Sequence, residues 1–386
     1  MRSLITSDGD LPSQLKVVGP SVCCNVPNFE IWDVMNSNWL TDNGEYVHTV
    51  TVQHYPTNNC KINGNIIDPE TIFSSLFLTH ESAINLTAPY IDTANQVVAQ
   101  GKEMVMLEFN TASCGGFAGL SDSFGAALWM ADWALQLAWG NFSNALMHVG
   151  GQSVYYNPFT PPPYAYTGAG WTTGSVYYSS LVIAEALGST NTSQVVDYSQ
   201  DRADDSHPAY LIYENGSPAR VVLFNYLSDT TGAADYVATI QVPGLNIDHV
   251  TVRYLSAPTI SEQYDIYWGN LTMGKSFEGD GRLHGTDVTS VFGCTDNACN
   301  VNVPGPSIAL VFLTEDAMSE VAPDPAQDVA FSTTVLDVNG VAVNKTAAES
   351  GNGSPDWTSL YNGGGSLEIG LALVSAAVVM TLVIGW

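Results

Sequence analysis

Residues 103–122 read EMVMLEFNTASCGGFAGLSD. The apolar run Met104-Val105-Met106-Leu107 predicts a short buried strand. It is followed at once by a carboxylate, Glu108, then by a small-residue loop of Ser113, Cys114, Gly115 and Gly116. Ser121-Asp122 ahead of Phe124 signals a helix start. An acid at the C-terminal end of a strand, before a Gly-rich loop and a helix, stands where parallel α/β barrels carry their chemistry. Glu108 is therefore the candidate nucleophile or proton donor, against the alternative of a plain loop or capping carboxylate.

Working outward, Ser121–Trp139 predicts a helix. Phe124, Leu128, Ala131, Leu135 and Ala138 fall on one face, and Trp129, Trp133 and Trp139 make much of the rest apolar. Upstream, Leu15–Val22 and the alternating YVHTVTVQHY of 46–55 predict strands, the second closed by Pro56. Phe29–Leu40, Pro69–Leu78 and Ser82–Ala99 predict helices. Downstream, Asn144–Tyr155 predicts a strand and Thr172–Leu187 a helix stopped by Gly188. Strand and helix thus alternate four times, which implies parallel strands with right-handed crossovers. This is half the count of an eightfold barrel.

From Gln194 the pattern changes. Ala209–Tyr213, Arg220–Phe224, Tyr236–Val242, His249–Leu255, Asp287–Phe292 and Ser307–Leu313 are short segments between Gly-, Asn-, Asp- and Pro-rich turns. That spacing predicts an antiparallel β-sandwich. The expected fold class is therefore α/β plus all-β: half of a (β/α)8 barrel over 1–190, then a sandwich over 191–322. A linker over 323–366 and a hydrophobic tail over 367–386 follow.

The charge balance is strongly acidic, with 38 Asp and Glu against 10 Lys and Arg and a net charge of −28. This excludes nucleic acid, whose phosphates need basic partners. Only 12% of residues are charged, which excludes a disordered acidic chain. No Cys or His cluster has zinc spacing, so neither metal nor cofactor is expected. Cys294 and Cys299 flank a four-residue turn and are expected to form a local disulfide. Cys60 is expected to pair with Cys23 or Cys24, leaving Cys114 a free thiol. Sequons at Asn85, Asn141, Asn191, Asn215, Asn270, Asn344 and Asn352 point to passage through the secretory route.

The polar Gly/Ser/Asn-rich segment ending at Glu368, followed by IGLALVSAAVVMTLVIGW, fits a glycolipid-anchor signal better than a plain tail anchor, because no basic residue flanks it. The expected setting is extracellular or cell-surface, with membrane attachment through this tail. The first 19 residues lack the apolar core of a signal peptide, so the expectation is a chain missing its natural N-terminal part.

Several of these stretches carry a family resemblance. LEFNTASCGGFAGLSDSFGAALWMADW over 107–133 resembles the nucleophile region of glycoside hydrolase family 79, the heparanase and β-glucuronidase family. HVGGQSVYYNPFTPPP over 148–163 is similar to the last barrel strand and loop of its fungal β-glucuronidases. KVVGPSVCC and VTVQHYPTNNC are similar to the two strands before the nucleophile strand. The resemblance is specific from Leu15 to Tyr198 and looser to about Leu313. It implies a retaining hydrolase acting on glucuronic-acid-containing glycans. Glu108 matches the nucleophile. Tyr55 is placed like the residue that hydrogen-bonds it, while the preceding His54 points to the other side of the strand.

The resemblance also places the Ser113, Gly115 and Gly116 loop near the sugar carboxylate, where backbone N–H groups and a hydroxyl can bind it. The same glycines equally suit a tight turn. Tyr155, Tyr156 and Asn157 are candidates for sugar contact, with simple packing as the equal alternative. One departure stands out. The family's acid/base lies in an Asn-Glu-Pro motif, and here no Asn is followed by Glu. The reading is a glycosidase chain lacking the acid/base half of its site, with a non-catalytic cell-surface carbohydrate-binding protein as the alternative.

Overall fold

The computed structural model describes residues 17–23, 29–60, 67–150, 154–162, 170–199, 204–322 and the backbone of 383–385. Two sheets organise them. The first holds the parallel strands β1 (Val17–Cys23), β2 (Val47–His54), β3 (Glu103–Phe109) and β4 (Asn144–Met147), in that spatial order. Val383–Gly385 pairs antiparallel with β4. Closure into an eight-stranded barrel is not seen among the described residues. The linker over 323–366 and nearly all of the tail lie outside them, and no described helix is long and apolar enough to cross a membrane.

The second sheet is antiparallel and eleven-stranded. Its main strands are β5 (Gln194–Asp197), β6 (Ala209–Glu214), β7 (Ser217–Asn225) and β8 (Tyr236–Ile240), then β9 (His249–Ser256), β10 (Ser290–Thr295), β11 (Ala298–Val303) and β12 (Ser307–Phe312). Their spatial order is β8–β11–β10–β9–β12–β7–β6–β5. Strand alternation splits this sheet's residues between two cores. Tyr210, Ile212, Val222, Phe224, Ile308 and Leu310 face one cluster, and Leu211, Val221, Leu223, Ala309 and Val311 face the other. β12 is buried throughout, which is why SIALVF is a continuous apolar run rather than an alternating one.

The helix Phe124–Trp139 (α5) joins the two sheets. It follows the helices α1 (Ile31–Asn36), α2 (Trp39–Asn43), α3 (His80–Thr87) and α4 (Ile91–Ala99). Every residue from Phe124 to Leu137 is buried. Ala126, Trp129, Met130, Trp133 and Leu137 pack against the parallel sheet. Phe124, Ala127, Leu128, Ala131 and Leu135 pack into the cluster shared with α6 (Ser175–Leu187) and the antiparallel sheet. A helix apolar all round must be covered all round. Its N-terminus is held from the side of the antiparallel sheet, where Phe124 and Gly125 N–H groups donate to Glu262 and Ile260 carbonyls at 2.7 and 2.8 Å. The Ser123 hydroxyl caps it by accepting from Ala126 N–H.

Several sequence expectations shift. The helix expected over Phe29–Leu40 is two, broken where Asn38 adopts a left-handed φ of 61°. Pro89 falls in a 3-10 turn that divides the helix expected over Ser82–Ala99. The strand expected over Asn144–Tyr155 ends at Met147, and the chain leaves the sheet to form a loop. β5 and β11 were not anticipated. β11 is half of a hairpin closed by the Cys294–Cys299 disulfide. The expected cysteine pairing is corrected elsewhere: Cys60 is bridged to Cys114, which is therefore not a free thiol. Cys23 is also disulfide-bonded, and Cys24 lies outside the described residues.

A charged cluster is buried where α5 meets the antiparallel sheet. Asp132, fully buried in mid-helix, accepts from the hydroxyls of Tyr210 and Tyr226 at 2.5 and 2.7 Å. It also faces His80 Nδ1 at 3.1 Å, while His80 Nε2 faces Asp197 at 3.2 Å. Burial alone would depress the imidazole, but the two carboxylates outweigh it and raise its pKa to about 10. His80 is thus a buried cation held between two acids, and removing one partner strands the rest. Asp132→Ala is expected to cost about 3–5 kcal/mol of stability in urea unfolding. Because the folded pKa lies above the ordinary histidine value, the stabilisation is complete below about pH 6.5 and is lost as pH rises through about 10. A pH series of urea midpoints, with His80→Gln removing the slope, checks this.

Candidate functional site

Three side chains converge at the C-terminal ends of β2, β3 and β4, and strand parity explains each. On β2, Val50 and Val52 face the helix-side core. His54 continues that face, its ring lying edge-on to Tyr90 and Trp133 and its Nδ1 2.6 Å from the Tyr90 hydroxyl. Burial lowers its pKa to about 4, so it is neutral. Tyr55 is consequently turned to the opposite side, as alternation requires. On β4, Ala145 and Met147 face the core and His148 faces away.

Glu108 does not follow simple alternation. Met104 and Met106 face the helix-side core, and strict period two would add Glu108 to them. Instead Phe109 is the next core residue. The register explains the change. Val52 pairs with Met106 but Gln53 with Glu108, and on the other side Ala145 pairs with Met106 but Met147 with Phe109. One extra residue on β3 is accommodated as a bulge against both neighbours. A bulge re-aims the side chains beyond it. Here it turns Glu108 out of the core and towards Tyr55 and His148.

The resulting geometry is tight. The Tyr55 hydroxyl donates to Glu108 Oε1 at 2.6 Å. His148 Nε2 lies 3.9 Å from the same oxygen, and its Nδ1 is 3.0 Å from the Tyr156 hydroxyl. Burial first, and then the Glu108 carboxylate, raises the pKa of both phenols, so both stay protonated donors. Glu108 remains 31% exposed, which leaves it reachable from solvent. None of the described lysines or arginines pairs with it. Arg220 is spent on Glu214 and Glu320, Arg253 on Glu185 and Asp287.

The loop after Glu108 lies against this cluster. Asn110, buried, donates to the carbonyls of His148 and Tyr156 at 3.0 and 3.3 Å and fixes the two loops together. Cys114, Gly115 and Gly116 adopt three successive left-handed conformations, with φ of 61°, 89° and 73°. At Gly116 glycine is obligatory twice over. A Cβ there would stand 2.6 Å from Ser121 Oγ and 2.9 Å from the Tyr156 ring.

The loop's hydrogen bonds decide which amides are free. Ser113 N–H donates to Thr57 O at 3.0 Å, so its amide is taken, while its hydroxyl, the other donor expected of it, lies 3.9 Å from Cys60 Sγ. Ser113 O accepts from Asn59 N–H, and Gly115 O accepts from Tyr155 N–H at 2.8 Å. In a trans peptide the carbonyl and the following N–H point in opposite directions. The N–H groups of Cys114 and Gly116 are therefore turned away from those partners. The turn at 114–115 bonds the buried Gly116 N–H back onto the loop, so the amides without a protein acceptor among the described residues are those of Cys114 and Gly115.

The remaining candidates separate. Tyr156 is buried within the cluster, and Tyr155 is 46% exposed beside Gly115. Asn157 is 4% exposed, and its side-chain oxygen accepts from Gly150 N–H at 2.8 Å, supporting the loop from beneath. His148 was not singled out from sequence. The signal was present, since the apolar pair Ala145 and Met147 places His148 on the other face. No group of three or more metal-ligating side chains occurs among the described residues.

Residues 209–310 match the glycosyl hydrolase family 79 C-terminal beta domain. The chain is 25% identical over 179 residues to a beta-glucuronidase of Aspergillus niger, covering 45% of this chain and 32% of that protein. It thus aligns with about a third of the length of that curated relative. The fold matches the crystal structure of a 4-O-alpha-L-rhamnosyl-beta-D-glucuronidase from Fusarium oxysporum 12S with a TM-score of 0.59, at 19% identity, over 78% of this chain and 60% of the other. Residues 209–310 thus correspond to the C-terminal beta domain of glycoside hydrolase family 79, and the chain as a whole is similar to glucuronidases that are longer than it.

Proposed function

We propose that this chain carries the nucleophile side of a retaining β-glucuronidase-type site. The observation that carries the reading is the bulge-directed Glu108 at a strand end, held by the Tyr55 hydroxyl at 2.6 Å and open to solvent. A nucleophilic carboxylate must be ionised and fixed in direction. A protonated phenol donating to one oxygen supplies both, and leaves the other oxygen for the anomeric carbon. Attack there would break the glycosidic bond and leave a glycosyl ester on Glu108, which water then hydrolyses.

The unpaired amides at Cys114 and Gly115 suit the sugar carboxylate. They offer directed donors without the competing charge of a lysine or arginine beside Glu108. Tyr155, exposed next to Gly115, is placed to contact the same sugar. The name of the Aspergillus niger relative supports a glucuronide substrate. On this reading the four parallel strands correspond to strands five to eight of a (β/α)8 barrel. Five sequon asparagines, Asn85, Asn141, Asn191, Asn215 and Asn270, are exposed, which supports a secreted glycoprotein.

A second reading, a carbohydrate-binding protein without hydrolysis, is favoured by one observation. Retaining chemistry needs a second carboxyl group about 5–5.5 Å from the first, and the sequence holds no Asn-Glu pair to match the family's acid/base.

An aryl β-glucuronide with a highly activated leaving group distinguishes them, because its phenolate departs without acid assistance. Slow release is expected, abolished in Glu108→Gln, with a glycosyl adduct on the Glu108 peptide by mass spectrometry. A folded protein whose release is the same with and without the Glu108 carboxylate would overturn the nucleophile assignment. Tyr55→Phe is expected to keep the fold and slow release about 10–100-fold, the worth of one hydrogen bond to a charged group. An unchanged rate would remove Tyr55 from the mechanism.

A further inference from the structure

We propose that Cys60 and Asn59 are positioning residues for the loop Cys114–Gly116, and that reduction of the Cys60–Cys114 disulfide selectively weakens binding of the sugar carboxylate. The inference rests on the reading of that loop as the carboxylate site and adds a control to it.

The segment after β2 and the segment after β3 are joined side by side. Ser113 N–H donates to Thr57 O at 3.0 Å, and Asn59 N–H donates to Ser113 O at 3.0 Å. The Asn59 side-chain amide donates to Gly116 O at 2.7 Å. Cys60 N–H donates to the Asn58 side chain at 3.1 Å, closing a turn that presents Cys60 Sγ to Cys114. The staple thus grips both sides of the three-residue loop, at Ser113 and Cys114 on one side and at Gly116 on the other.

What the staple controls is the direction of the amides. Each carbonyl held by the β2 segment turns the next N–H the opposite way. Ser113 O, held by Asn59, aims the Cys114 amide. The loop itself is not a conformation the chain keeps cheaply. Cys114 is a non-glycine residue at positive φ, which persists only where the surroundings impose it. Beyond the Asn59 bonds, the disulfide is the covalent part of those surroundings. Fixing donors before a ligand arrives removes the ordering cost from binding.

Cys114 is exposed, so a dithiol reductant can reach the bridge. A thiolate of the reductant attacks one sulfur and releases the other cysteine as a thiol. The second thiol of the reductant then resolves the mixed disulfide. Two electrons and two protons pass to Cys60 and Cys114, and the reductant leaves as its cyclic disulfide. Tyr55 and Glu108 lie before the two stapled segments and keep their own hydrogen bond. The expected effect therefore falls on recognition of the acid group rather than on the nucleophile.

The test is a calorimetric titration of the full chain with an aryl β-glucuronide and the matching aryl β-glucoside, before and after dithiothreitol. Reduction is expected to weaken the glucuronide about tenfold, the worth of one misdirected charged hydrogen bond, and to leave the glucoside unchanged. The Cys60→Ser, Cys114→Ser double variant should start at the weakened value and show no further response, which separates this bridge from Cys294–Cys299. Equal glucuronide affinity in oxidised and folded reduced protein, or a parallel loss for both ligands, overturns the inference. Failure of the oxidised protein to prefer the glucuronide overturns the reading of the loop itself. Should reduction unfold the chain, Asn59→Ala decides with the disulfide intact. A loss confined to the glucuronide supports the positioning role, and none refutes it.

Discussion

The helix Phe124–Trp139 cannot be solvated on any side, and the arrangement of the described residues follows from that constraint. Trp129, Trp133 and Leu137 cover the parallel sheet while Phe124, Leu128, Ala131 and Leu135 lie against α6 and the antiparallel sheet. With an apolar side chain's full burial worth about 1.5–3 kcal/mol, this one element couples the two sheets more strongly than a polar domain contact would. Asp132 in its middle then needs partners from both sides. It finds them in His80 and in Tyr210 and Tyr226.

The functional loop inherits this rigidity. It runs from Glu108 at the end of β3 to Ser123 at the cap of that helix, so both of its ends are anchored in buried structure. Between them, the Thr111 hydroxyl donates to Ser121 Oγ, which also accepts from Phe117 N–H. Gly116 is pressed against Ser121 and Tyr156. A site that must aim a carboxylate and several amides at one small ligand benefits from an immobile frame. The acidic character of the chain adds a constraint, since cations are scarce: Arg220 and Arg253 are taken by ion pairs, and Lys102 by the carbonyls of Gly44 and Val47.

Much of this was legible from residue order. Met104–Leu107, Glu108 and the Gly-rich loop mark a strand end followed by a helix because apolar runs and glycines report local conformation directly. Alternation along VTVQHY separated Tyr55 from His54, and the structure keeps that separation. The antiparallel character after Gln194 was readable from strand length and turn composition. β11 was missed although Cys299, Val301 and Val303 alternate with Asn300 and Asn302, because asparagine is a poor strand former and the segment depends on its hairpin partner. The break at Asn38 was missed because Asn tolerates a left-handed backbone without advertising it.

By itself the sequence determined which residues are apolar, which segments are strands or helices, and that an acid ends a strand before a flexible loop. These are properties of neighbours along the chain. Tertiary structure alone decided which way Glu108 points, because the bulge that reverses its side is defined only against the registers of β2 and β4. It alone decided that Cys60 meets Cys114, since a disulfide needs two chain segments brought within bonding distance. And it alone decided that Ser113 loses its amide to Thr57 while Cys114 and Gly115 keep theirs, because a hydrogen bond's direction depends on where the partner strand lies.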